Sequence, residues 1–222
     1  MSSFSWQQSF IKTLPVMLGY IPLGIAFGVL AVQMGFPWWF APLTSIAIYS
    51  GASQFLILSL LTAGASLSAI FVAVFLLSTR HIFYGLSLLA RYKDAHHKKP
   101  YLIYALTDET YTLLTSSPDR SSDFKITLLN QTWWFSGTVI GVLIASLINF
   151  DSSGMEFALT ALFIVLSVEL YKSNQELKPL VIGLLSAVLA LFLLPKQHML
   201  LAAISASSLV ILIEFLRAKH ER

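Results

Sequence analysis

The sequence predicts an all-α integral membrane protein with about 6–8 membrane segments, some of them broken or re-entrant. Three observations predict it. From Thr13 to Thr79 the chain carries no Asp, Glu, Lys, Arg or His. Over its whole length it is 56% hydrophobic and 11% charged, with a mean hydropathy of +0.75, whereas a soluble domain averages about 25% charged residues. Its apolar residues fall into runs close to the roughly 20 residues a helix needs to cross the hydrocarbon core.

Eight apolar segments follow one another, over residues 15–33, 38–61, 67–90, 101–116, 126–149, 156–171, 179–194 and 197–216. Ahead of them Trp6, Phe10, Ile11 and Leu14 recur at helical spacing, which predicts a short interfacial helix over residues 1–14. That stretch has neither a basic n-region nor an A-x-A-like cleavage site, so it reads as retained. The first segment holds Pro15, Gly19, Pro22, Gly24 and Gly28, a combination that predicts a broken helix; Gly24-x-x-x-Gly28 is also a weak packing signal. The second opens on Trp38-Trp39, which suit an interface, and clusters small and polar residues over 45–55. Two readings of that cluster stay open, a tight helix crossing or an unwound turn that bares backbone groups. In the third, Arg80 and His81 sit inside an apolar run, and Arg80, Tyr84 and Ser87 share one helical face. The fourth is short and carries Asp108-Glu109 at its centre, within a helical stripe of Tyr101, Tyr104, Asp108 and Tyr111. The fifth contains Gly137-x-x-x-Gly141, read as a packing face. The remaining three are generic apolar runs.

Charge sets the topology. Residues 91–100 form a loop with Arg91, Lys93, Lys98 and Lys99, and residues 217–222 a tail with Arg217, Lys219 and Arg222; both belong on the cytoplasmic side. Five segments lie between them, and an odd number of crossings would separate them. A re-entrant 101–116 resolves the conflict, because Arg120 and Lys125 then fall inside with the first loop. The competing reading is that all eight segments span and one basic loop lies outside.

Several function classes are excluded or disfavoured. With no cysteine there is no disulfide, thiolate chemistry or Cys-bound metal. No G-x-x-x-x-G-K-[ST], H-E-x-x-H or G-x-S-x-G is present, so neither ATP hydrolysis nor intramembrane catalysis is expected, and no cofactor or metal. The net charge of +3 resides in short loops and the tail, as topology signals do, and argues for a lipid bilayer rather than nucleic acid. The chain reads as one polytopic membrane domain, 1–222.

An ionisable residue inside a membrane segment is costly enough to mark function. Arg80 and Asp108 are natural partners, since each removes much of the other's desolvation penalty; the pair would either lock two segments or serve a substrate or proton. An imidazole's ordinary pKa lies near neutrality, so His81 is a candidate coupling group beside the packing role usual for a buried imidazole.

Four runs, Pro15-x-x-x-Gly19-Tyr20-x-Pro22-x-Gly24-x-Ala26-Phe27-Gly28, Tyr49-Ser50-Gly51-Ala52-Ser53-Gln54-Phe55, Thr79-Arg80-His81-x-x-Tyr84-Gly85-Leu86-Ser87 and Leu106-Thr107-Asp108-Glu109, resemble the successive motifs of the AzlC family of bacterial branched-chain amino acid permeases. The resemblance implies a multi-pass permease subunit of the bacterial cytoplasmic membrane. It also implies a small AzlD-like membrane partner and the export of Leu, Ile, Val or analogues such as azaleucine.

Beside that resemblance, the residues themselves predict a site. Broken backbone carrying Gly19, Tyr20, Gly24 and Gly28, and again Gly51, Ser53 and Gln54, would bind the ammonium and carboxylate of a zwitterion through half-helix ends. Phe27, Phe55 and Tyr84 would receive the aliphatic side chain, and Arg80, His81, Asp108 and Glu109 would couple or gate the cycle. A passive channel for small neutral solutes and a non-transporting assembly subunit are the rival readings.

Overall fold

In the computed structural model, residues 5–117, 119–147 and 177–193 are described, with positions 164, 168, 171, 202–203, 206 and 209–210; at Arg80 and Pro179 only the backbone is. Among them every regular element is helical: α1 (Trp6–Gln33), α2 (Phe40–Ala47), α3 (Gly51–Thr62), α4 (Leu67–Leu88), α5 (Lys99–Tyr104), α6 (Asp108–Thr115), α7 (Asp123–Leu147) and α8 (Lys178–Leu193), with 3₁₀ turns at His96–Lys98 and Arg120–Ser122. By length and hydropathy two of the described helical stretches, Trp6–Gln33 and Arg120–Leu147, each suffice to cross a membrane. The segments expected at 156–171 and 197–216 lie outside the continuously described residues.

Contacts divide the chain into two compact units, one of residues 1–55 and 78–152, the other of residues 56–77 and 153–222. In the second, α3 turns into α4 at Gly64, whose φ of +69° favours glycine, and the Ser66 side chain caps the start of α4 by accepting from Ala69 N–H at 3.3 Å. Leu56, Leu60, Ile70 and Ala73 form the core of that hairpin. Helix α8 is apolar on every side and exposes Leu184, Leu185, Leu189 and Phe192, a composition suited to hydrocarbon rather than water.

The first unit is built on α1 packed along α7. Helix α1 opens with a capping box between Ser5 and Gln8 and ends where Phe36 N–H bonds the Ala31 carbonyl at 3.0 Å around Gly35, φ +84°. It runs unbroken through Pro15 and Pro22. The expected break in the first segment is therefore absent, and Trp6 to Leu14 form the opening turns of this helix rather than a separate element. The reason lies in the partner. Gly24 and Gly28 face Gly137 and Gly141, and the two backbones touch: a Cβ on Gly24 would lie 2.9 Å from the Trp134 carbonyl oxygen and one on Gly137 2.6 Å from that of Ile21. Cβ atoms on Gly28 and Gly141 would meet the carbonyls of Thr138 and Ile25. Contact over both glycine pairs holds α1 in register and offsets its proline defects.

The second segment breaks. Residues 48–50 interrupt it between α2 and α3, with Tyr49 at φ +43°, a left-handed conformation a bulky residue rarely adopts. This is the unwound turn, the second of the two readings of 45–55. The fourth segment breaks too, at residues 105–107, so Tyr101 and Tyr104 belong to α5 while Asp108 and Tyr111 belong to α6. No continuous aromatic stripe exists there. Thr107 is the N-cap of α6, and Asp108 and Glu109 occupy its first turn, where negative charge complements the helix dipole.

Helices α5 and α6 leave from and return to one end of this unit. His96, His97 and Lys98 before α5 line the same cavity, of about 470 Å³, as Arg120, Ser121 and Asp123 after α6. Arg91 closes that end: its guanidinium donates to both Asp123 carboxylate oxygens at 2.7 Å, to the Ser117 carbonyl at 2.8 Å and to the Asp119 carbonyl at 3.2 Å. The Asp123 carboxylate beside it raises the Arg91 pKa further, and the Ser121 N–H and O–H hold the exposed Asp119 carboxylate below its usual range. Lys12 of α1 donates to Ser117 Oγ at 3.1 Å, so the start of α1 lies at that end as well.

Candidate functional site

The two helix breaks meet. Tyr104, at the end of α5, hydrogen-bonds through its hydroxyl to the carbonyl of Ile46 near the end of α2. Behind this contact, α1 and α7 supply a buried polar network. A broken helix leaves backbone N–H and C=O groups without intrahelical partners, and polar backbone at membrane depth is tolerated only where protein or water surrounds it.

One half of the network anchors α2 and α3 to α7. Trp134 Nε1 donates to Gln54 Oε1 at 2.9 Å; Gln54 Nε2 donates to Ser45 Oγ at 3.1 Å and Thr44 Oγ1 at 3.2 Å; Ser45 and Thr138 share a hydrogen bond of 2.9 Å. All of Gln54's polar capacity is directed inward, although the side chain is fully buried. The other half joins α1 to the second break. The Tyr20 hydroxyl lies 2.8 Å from Thr107 Oγ1 and 2.6 Å from Glu109 Oε2, and its single proton goes to the charged, closer carboxylate. Thr107 Oγ1 donates to Thr110 Oγ1 at 2.9 Å, and Asn130 Nδ2 donates to the same oxygen at 2.9 Å. Tyr20 stands edge-on to Trp134 with ring centroids 5.6 Å apart, which links the halves.

A third group lies on α4. Ser78 bonds Ser53 Oγ at 3.1 Å, and Ser53 accepts from Ser50 at 3.0 Å in the first break. His81 Nδ1 sits 3.3 Å from the Ser78 carbonyl, Tyr84 stacks on Tyr111 of α6 at 4.6 Å, and Ser87 donates to the Tyr111 hydroxyl at 3.3 Å. The polar face expected from Tyr84 and Ser87 thus meets α6.

The structure redistributes the expected site. Tyr20, Ser53, Gln54 and Glu109 stand in or beside the network, and Gly51 lies under the Trp134 ring, 2.9 Å from where its Cβ would be. Gly24 and Gly28 are occupied by the α7 backbone and have no room for a ligand; Gly19 faces open space on the outside of α1. Phe27 and Phe55 are buried against each other at 5.4 Å and form core rather than an open lining. The Arg80 side chain lies outside the described residues, so its pairing with Asp108 remains an expectation. Tyr49, Asn130, Thr107, Thr110, Trp134, Ser45 and Thr138 were not singled out as site residues. A signal existed for three of them, since Asn130, Trp134 and Thr138 repeat every four residues on one face of an apolar helix.

Residues 15–148 match the family described as AzlC protein. The chain belongs to the AzlC family. It is 31% identical to the branched-chain amino acid transport protein AzlC of Bacillus subtilis over 91% of this chain and 82% of that one. It is 33% identical to the inner membrane protein YgaZ of Escherichia coli, over 91% and 87% of the two chains, and 38% identical to an uncharacterized membrane protein of Helicobacter pylori over 90% of each. No solved structure matches this AzlC-family chain at a significant level. The resemblance in its motifs and the family match agree: it is a multi-pass membrane protein of a transport family, not of an enzyme family.

Proposed function

We propose that this AzlC-family protein exports branched-chain amino acids, Leu, Ile and Val, with Met and azaleucine as analogues, driven by a gradient and assisted by a small AzlD-like membrane subunit. The observation that carries the reading is the meeting of two helix breaks, at 48–50 and 105–107, on one buried polar network in an otherwise apolar unit. Discontinuous helices are how membrane carriers present backbone dipoles to a zwitterion. In this arrangement the free N–H groups at the start of α3, from Gly51, receive the carboxylate. Relaxation of Phe27, Phe55 and Tyr84 makes room for the aliphatic side chain. Because one methylene is worth only about 1–3 kcal/mol, Leu, Ile and Val overlap as substrates.

Glu109, exposed at the rim and bonded to Tyr20 within, couples or gates the cycle together with Asp108, Arg80 and His81. The topology has 6–8 membrane segments. Helices α5 and α6, about 9 and 12 Å long, are each too short to cross roughly 30 Å of hydrocarbon and form a re-entrant pair. The B. subtilis relative's name supports the substrate class, and the return of α5–α6 to a basic cavity supports a shared cytoplasmic side for residues 91–100, Arg120 and the start of α1.

The test is growth in toxic azaleucine or leucine-containing peptide of a strain lacking its own exporters. Co-expression with an AzlD-like subunit is expected to restore growth and lower intracellular leucine, and either protein alone to do much less. Unchanged leucine, isoleucine and valine pools with an intact complex in the membrane would refute export and favour an assembly role.

A further inference from the structure

Two polar atoms in the site stand out because the network does not use them. The Asn130 side chain is fully buried, and while its Nδ2 donates to Thr110, its Oδ1 has no hydrogen-bond partner among the described residues. The Tyr49 hydroxyl, on a residue 3% exposed, makes no hydrogen bond within 3.5 Å among the described residues, although Thr110 and Tyr20 lie close enough to interact with it and Glu109 is nearby. Both therefore flank Thr110. Tyr49 is also the residue held at φ +43° in the first helix break, so a strained backbone delivers this loosely held hydroxyl to the second break. A buried acceptor without a donor is strongly disfavoured, and its persistence calls for a partner that arrives from elsewhere.

Taken together, Asn130 Oδ1, the Tyr49 oxygen and the Glu109 carboxylate present three acceptors, one of them anionic, to one neighbourhood. A primary ammonium carries three donors, no acceptor and one positive charge. We infer that Asn130, Tyr49 and Glu109 bind the ammonium group of the transported amino acid. The assignment rests on the transport reading and makes it specific: the ammonium goes to the second break, beside α7, and the carboxylate to the N-terminus of α3. Glu109 is exposed while Asn130 and Tyr49 are buried, so in this assignment the ammonium meets the accessible carboxylate before the buried neutral acceptors.

The experiment uses everted membrane vesicles containing the full chain with its AzlD-like subunit. Labelled leucine uptake is competed with unlabelled leucine and with 2-hydroxy-4-methylpentanoate, which keeps the carboxylate and side chain but replaces the ammonium by a hydroxyl. The wild type is expected to prefer leucine at least tenfold. Asn130→Leu and Tyr49→Phe are each expected to raise the leucine KM tenfold or more while moving the hydroxy-acid inhibition constant less than twofold. Equal losses for both compounds, or no change in leucine KM in Tyr49→Phe at wild-type membrane abundance, overturn the assignment. So does a sodium requirement of the wild type that Asn130→Leu removes, which would give these acceptors to a metal cation. A wild-type complex that moves no branched-chain amino acid overturns the transport reading itself, whereas intact discrimination unmoved by these substitutions overturns only the ammonium assignment.

Discussion

Trp134 and Gln54 fix one helix break against the helix that carries the rest of the site. The indole N–H of Trp134 donates to Gln54 Oε1 at 2.9 Å in a fully buried setting, and the Gln54 amide nitrogen passes the network on to Ser45 and Thr44. Removing either partner strands the other. Trp134→Phe and Gln54→Leu are each expected to cost about 1–3 kcal/mol from the orphaned group, with the double variant losing less than the sum. A thermal-denaturation double-mutant cycle on the detergent-solubilised complex checks this, and strictly additive losses would dissolve the coupling.

The glycine contact between α1 and α7 makes a second prediction. Gly28→Ala and Gly141→Ala push a methyl into the carbonyls of Thr138 and Ile25, so each is expected to destabilise by about 1–3 kcal/mol or more and to reduce membrane abundance. Gly19→Ala, facing open space, is expected to leave both abundance and transport unchanged. Immunoblotting of membranes for the three variants separates a packing role from a ligand-binding one.

Arg91 and Asp123 form a nearly buried, bidentate ion pair, with side chains 13% and 5% exposed. Breaking such a pair leaves a charge without compensation, at about 3–5 kcal/mol. Asp123→Asn and Arg91→Gln are therefore expected to lower the unfolding temperature of the complex sharply, and Arg91→Lys only partly to preserve it, because lysine cannot reproduce the fork that also reaches the Ser117 and Asp119 carbonyls.

The proposed re-entrant pair predicts accessibility. The chain contains no cysteine, so single cysteines report without background. His96→Cys and Ser121→Cys, both exposed on the rim of one cavity, are expected to react with an impermeant maleimide from the cytoplasmic side alone. Labelling from opposite sides would mean that 101–116 crosses the membrane.

How much of this was legible in the sequence follows the range of each interaction. A charge-free run from Thr13 to Thr79 dictates a membrane protein, because transfer free energy depends on composition and length, both local properties. Four ordered motifs carried the family, and the clash between two basic stretches singled out residues 101–116, which the structure divides into two short helices and which we propose to be re-entrant. Breaks, by contrast, were misjudged where partners mattered. Pro15 and Pro22 predict a broken α1, yet the helix continues because Gly24 and Gly28 lie against Gly137 and Gly141, more than a hundred residues away. Those same glycines left the candidate site for the same reason. Residues 48–50 unwind without a proline, and what stabilises them is tertiary: Gln54 bonds Trp134, and Tyr104 bonds the Ile46 carbonyl. Asn130 showed in the sequence only as one of a polar-bearing face with Trp134 and Thr138, and Tyr49 only as the first residue of a motif; that their polar atoms are poorly satisfied was not legible, since an unsatisfied buried atom is defined by what surrounds it and not by what it is. Sequence alone determined the solvent, the family and the charged groups; only the packing of α1 on α7 decided which small residues are buried backbone and which breaks face each other.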